Sequence, residues 1–124
     1  MNLRRALLAV AASLALTTAA AAEEAPRIIG LLVGASDYET DPLGLGALSG
    51  PRNDVLILGD VLVERGAEPA DLTILTTRPE AADYRPSAPL EVSGPPDRAG
   101  VISALMALIE RARPGDQVVI QLAG

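Results

Sequence analysis

Cysteine, histidine, lysine, phenylalanine and tryptophan are all missing from the 124 residues. Each absence removes a class of chemistry. Without Cys no disulfide can form, and without Cys and His the usual zinc ligand sets cannot be assembled. No thiol nucleophile exists, and no imidazole or ε-amine can activate a serine or threonine hydroxyl. A phosphate-binding loop of the Walker type needs the missing Lys. Nucleic acid is excluded as a partner on balance of charge, because 10 Arg face 16 acidic groups and the formal net charge is -6. With two tyrosines, Tyr38 and Tyr84, as the only aromatics, the core must be built from Leu, Ile, Val and Ala.

What is present begins with an export pattern. Arg4 and Arg5 precede an almost unbroken Ala/Leu/Val run over residues 6–20, and alanines at 20–22 offer a cleavage site before Glu23. This is the layout of a secretory signal peptide, and the run is short for a membrane span of roughly 20 residues. The expectation is a signal peptide over 1–22 and a mature chain, 23–124, that is exported to the periplasm or secreted and has no membrane contact after cleavage. An uncleaved N-terminal anchor is the other reading. Loss of Arg4 and Arg5 takes the net charge to about -8.

The mature part reads as one α/β domain. Residues 27–34, RIIGLLVG, form an apolar run without alternation, as in a strand buried on both faces of a parallel sheet. Residues 51–65 read as a helix with Pro51 in its first turn, Asp54 near its positive end and Gly66 as its stop. Residues 71–76 form a second strand. A connection with five prolines follows over 77–96, and connections of that length are functional or mobile more often than short ones. Asp97 caps a second helix over 98–112, whose Val101, Leu105, Leu108 and Ala112, joined by Ile102 and Ile109, form one apolar stripe. Residues 117–122 form a third strand. The order β-α-β-loop-α-β with right-handed crossovers predicts three neighbouring parallel strands with helices packed on the sheet.

Ligands of open parallel sheets bind beyond the carboxyl ends of the strands. Ser36, Asp37 and Tyr38 lie at that position, either as a ligand rim or as a polar loop that satisfies its own backbone. Asp37, Glu39 and Asp41 could serve as acids or hold a divalent cation, although loop acids are commonly just solvated. The glycines at 44, 46 and 50 have the wrong spacing and place for a dinucleotide fingerprint and read as a plain loop. Projected at about 100° per residue, Asn53, Asp60 and Glu64 share a solvent-facing line, whereas Asp54 falls inward with Leu58 and Val61. Asp54 is then either a dipole-stabilising acid or the floor of a pocket for a basic side chain.

Five segments taken together resemble a family: LLVGASDY at 31–38, LSGPRNDV at 48–55, DLTIL at 71–75, DRAGVI at 97–102 and PGDQVVIQLAG at 114–124. In order and spacing they are similar to the bacterial caspase-like, metacaspase-related cysteine peptidases, over residues 28–124. The resemblance implies a caspase-haemoglobinase-like three-layer α/β/α sandwich, of which this chain would supply a partial βαβαβ parallel half-sheet. It implies a His-Cys dyad, with the His in a small-Gly-His-Gly motif of which Ala123 and Gly124 match the first half. Residues 23–124 would then be the N-terminal part of the domain, cut just before that motif and inactive as they stand. It further implies that Asp54 is substrate-binding, an acid of the pocket for Arg or Lys in a polypeptide substrate. No cofactor is implied. Two other readings of the chain are a non-catalytic caspase-like binding or assembly module and an unrelated small flavodoxin-like domain. A half-sheet is expected to leave apolar strand and helix faces uncovered.

Overall fold

The computed structural model describes residues 24–38, 44, 46, 48–80 and 83–124. The signal-peptide segment, Glu39 and Asp41 lie outside the described residues. The elements are β1 (Ile28–Gly34), α1 (Ser49–Glu64), a 3-10 turn (Pro69–Asp71), β2 (Leu72–Thr76), β3 (Val92–Gly94), α2 (Arg98–Arg111) and β4 (Gln117–Ala123). The strands form one four-stranded sheet in the order β3-β2-β1-β4, parallel throughout. The three expected strands are there and adjacent. The fourth, β3, lies inside the Pro-rich connection over 77–96. Three residues carry too little pattern to announce a strand, and tertiary pairing with β2 is what creates it.

β1 is central because it is apolar on both faces. Leu32, with Leu72 and Ile74 of β2, packs against Val55, Leu56 and Leu62 of α1. Ile29, Leu31 and Val33, with Leu75, pack against Leu108, Val101 and Ala104 of α2. The helices therefore cover opposite faces, as right-handed crossovers require when the chain first steps from β1 to β2 and then back past β1 to β4. The result is an α/β fold, consistent with part of a three-layer α/β/α sandwich.

Local signals set the element ends. Gly66 stops α1 with a φ of 101°. The N–H of Ala67 donates to Leu62 O at 2.9 Å and that of Gly66 to Val63 O at 3.0 Å, the paired bonds of a Schellman motif. The Asp97 carboxylate accepts from the Gly100 N–H at 2.7 Å and caps α2. At the entrance to the strands, Arg27 donates to Asp116 through its backbone N–H (3.1 Å) and its Nη2 (2.9 Å), while Asp116 also accepts from the Arg113 N–H (3.0 Å). The Pro-Gly-Asp turn thereby fastens the start of β4 to the start of β1.

Two expectations about packing are corrected. The stripe on α2 implies one buried face, but among its residues only Leu108 is buried; Ile102, Leu105 and Ile109 stay exposed because no described residue covers that flank. On α1 the helical projection holds for exposed Glu64 and for Leu58, which packs against the core, but fails for three residues: Asp54 and Val61 face solvent, while Asp60 is buried. Apolar residues run almost all the way round α1, so periodicity alone could not select the inward face.

Candidate functional site

The carboxyl ends of β1, β2 and β4 form a rim held in register by backbone and hydroxyl contacts. Gly34 is level with Thr76 of β2 and Ala123 of β4. The Ala35 N–H donates to Ala123 O at 2.8 Å, and the Thr76 hydroxyl to Gly34 O at 2.7 Å. Gly34 is required here. A Cβ at this position would stand 2.3 Å from Pro51 O, so the missing side chain is what lets the first turn of α1 rest on the end of β1.

Ser36 is fully buried and works for the fold. Its Oγ accepts from the Arg52 N–H at 3.1 Å, and its carbonyl from the Leu48 N–H at 2.8 Å. α1 has no side-chain cap of its own, and Ser36 satisfies one of its early donors. The self-satisfying reading of this loop therefore holds for Ser36, while Asp37 and Tyr38 are exposed. They line a cleft of about 480 Å³ with Ala35, Thr77, Pro95, Pro96 and Asp97.

Asp54 is exposed rather than turned inward. The helix begins at Ser49, two residues earlier than expected, which takes Asp54 out of the first turn, and the face it shares with Val61 is the one turned to solvent. It remains at the carboxyl-end rim, on the flank of α1 opposite the one that carries Asn53 and Asp60.

That second flank holds the feature sequence reasoning missed. The connection between β2 and β3 does not hang free but is bound to α1. Asp60, 6 % exposed, accepts from the Tyr84 hydroxyl at 2.7 Å, the Ser87 N–H at 2.8 Å and the Ala88 N–H at 2.7 Å. Asn53 Oδ1 accepts from the Tyr84 N–H at 2.9 Å. Arg52 is buried. Its Nη1 donates to Thr77 Oγ1 at 2.9 Å, and its Nε lies 2.8 Å from Asp83 Oδ2, close enough for an ion pair but off the hydrogen-bond direction. Leu90 reaches Gly59, where an added Cβ would meet its Cδ1 at 2.7 Å.

The electrostatics follow from these partners. Burial pushes the Asp60 carboxyl upward, but the Ala88 and Ser87 N–H groups and the Tyr84 hydroxyl outweigh it and hold the pKa below the usual carboxylate range. The Glu80 N–H does the same for Asp83, against burial and with help from Arg52. The Tyr84 phenol is raised, first by its bond to Asp60. The signal that could have exposed the clamp was a lone acid, Asp60, amid apolar residues of α1, together with a connection rich in backbone donors.

Chemically the rim offers carboxylates and no activated nucleophile. Among the described residues no group of three or more potential ligands is gathered to hold a metal ion. No helix among them is long and apolar enough to cross a membrane. Gly44 and Gly46 have φ values of 65° and 72°, the left-handed conformation that glycine favours, and a Cβ added at either would meet no atom within 4 Å. No family model, no curated protein and no solved structure matches the chain. The caspase-like resemblance therefore stands on the five sequence segments alone.

Proposed function

We propose that residues 23–124 are the front half of an exported caspase-like cysteine endopeptidase with preference for cleavage after Arg or Lys, in which Asp54 takes part in holding the basic side chain. The dyad would come from polypeptide outside these residues. Its Cys would attack the peptide carbonyl, its His would act as general acid and base, and backbone N–H groups would stabilise the oxyanion. By themselves these residues are inactive.

The observation that carries this reading is the shared rim. β4 ends level with β1, with Ala123 opposite Gly34, and its last residues point to the side of the sheet where parallel α/β proteins bind ligands. A His placed directly after Gly124, as the resemblance requires, would emerge at that rim. Asp54 stands at the same rim, exposed and on the flank of α1 away from the Asp60 clamp, where an incoming basic group can reach it.

The test is a product extended with the coding sequence that follows the Gly124 codon. Iodoacetamide-sensitive hydrolysis of peptides after Arg or Lys is expected, with none from the 124-residue chain. A continuation lacking His and Cys, or hydrolysis by the 124 residues alone, would overturn it.

One observation favours a second reading, a non-catalytic assembly module: β4 is an open edge of seven residues without a single charge. Extended products that bind partners yet hydrolyse no peptide would select this reading.

A further inference from the structure

Arginine is the only basic side chain in the sequence, and the bond that follows each arginine is closed in one of two ways. Five of the eight arginines in residues 23–124 have that bond held in regular structure. Arg27 O, just before β1, accepts from the Gln117 N–H at 2.8 Å. The Arg52–Asn53 bond lies inside α1, and the Arg98–Ala99 bond lies in α2 behind the Asp97 cap. At Arg65 the next N–H, that of Gly66, belongs to the Schellman motif. Arg111 O accepts from Arg27 Nη2 at 3.0 Å, and the Ala112 N–H donates to Leu108 O at 3.0 Å.

The other three, Arg78, Arg85 and Arg113, are exposed and lie in irregular segments, where proteolytic nicking concentrates. Each is followed by proline: Pro79, Pro86 and Pro114. Proline makes up about a tenth of residues 23–124, so composition alone would place it after fewer than one of the eight arginines. The acids of the same connection give the contrast, because none of Glu80, Asp83 and Glu91 precedes proline. The clamp on α1 does not do the prolines' work. It binds Tyr84, Ser87 and Ala88, whereas no hydrogen bond among the described residues holds the Arg78 or Arg85 carbonyl.

We infer that Pro79, Pro86 and Pro114 shield the exposed segments of this fold from endopeptidases that cleave after arginine. Such an enzyme lays the scissile bond out in extended form and protonates its nitrogen as the amine leaves. In an Arg-Pro bond that nitrogen carries the ring carbon Cδ in place of hydrogen, and φ of the leaving residue is fixed. The ring stands where the general acid must approach. With the other five bonds locked in helices, strand pairing or a helix end, the folded chain presents no open bond after arginine. The shielding does not rest on the peptidase reading, although under that reading the enzymes resisted include the protein's own extended product.

The test exposes the full chain to trypsin, with every cut located by mass spectrometry. Cuts after Arg4 or Arg5 leave residues 6–124 in one piece and are not counted. Unfolded in urea, the chain is expected to be cut after Arg27, Arg52, Arg65, Arg98 and Arg111. Folded, residues 6–124 should stay whole for the time that this digestion takes. Pro79→Ala should open the folded chain after Arg78, and Pro86→Ala after Arg85, at least about tenfold faster than the unsubstituted chain is cut anywhere in 6–124. Substituted chains that stay whole would overturn the inference, by showing that the clamp protects these bonds without proline. Cuts in the variants that also fall after Arg52, Arg65 and Arg98 would overturn it too, since the prolines would then act by holding the fold together. So would internal cutting of the folded, unsubstituted chain.

Discussion

Asp60 shows how much one carboxylate can organise. Three donors from the β2–β3 connection converge on it, so Asp60→Ala strips them of their acceptor at once. Hydrogen bonds to charged groups contribute about 1.5–3 kcal/mol each in favourable cases, and partial solvent access lowers the sum, so a loss of about 1–3 kcal/mol is expected. Urea unfolding measures it, and amide exchange at Ser87 and Ala88 should accelerate well before global unfolding; unchanged exchange there would show that the clamp holds without its acid. Gly34 acts through what it lacks. Gly34→Ala drives a methyl into the Pro51 carbonyl, and overpacking against backbone costs about 1–3 kcal/mol or more. A lowered urea midpoint is expected, whereas a neutral substitution would mean that α1 can lift off the rim without penalty. Asp54 carries the residue-scale functional prediction. In an active extended product, Asp54→Ala should lower kcat/KM for Arg substrates about tenfold to a hundredfold, the equivalent of about 1.5–3 kcal/mol for a hydrogen bond to a charged group. Cleavage after neutral residues should be little affected, and an unchanged preference for Arg removes Asp54 from the pocket.

Among the elements, β4 depends most on a charged contact at one end. Arg27 holds the Asp116 carboxyl down to about 2, with burial opposing and the Arg113 and Arg27 N–H groups assisting. A carboxylate depressed in the folded state stabilises the fold fully above its ordinary value of about 3.9, and the contribution is lost as pH falls through about 2. Stability should therefore decline between about pH 4 and pH 2, and Asp116→Asn should flatten that decline while lowering stability at neutral pH. Urea midpoints against pH for both chains decide the matter; parallel curves would place the acid sensitivity elsewhere, in Asp60 and Asp83. The helices differ in how their starts are secured. α2 carries its own cap in Asp97, visible in the sequence, whereas α1 borrows Ser36 from the end of β1. That loan, together with Gly34, ties the position of α1 to the strand it covers.

At the scale of the whole molecule, the two edges of the sheet differ. The β2 side ends in the three-residue β3 and its clamped connection, while β4 and the flank of α2 leave apolar surface bare. The sequence by itself determined the α/β class, the parallel central strand, the stop at Gly66, the cap at Asp97 and the neighbourhood of the three main strands. These features rest on local causes: an unbroken apolar run, a residue that tolerates positive φ, a side chain that reaches its own backbone. The tertiary structure alone decided the rest. It turned Asp60 from a solvent-facing residue into a buried anchor, buried Arg52 near it, made a strand of Val92–Gly94, and placed Asp54 outside rather than inside. The physical reason is that α1 is apolar around most of its circumference. Which flank is buried, and by what, depends on contacts 24 to 31 residues apart in the chain, and no local period encodes them.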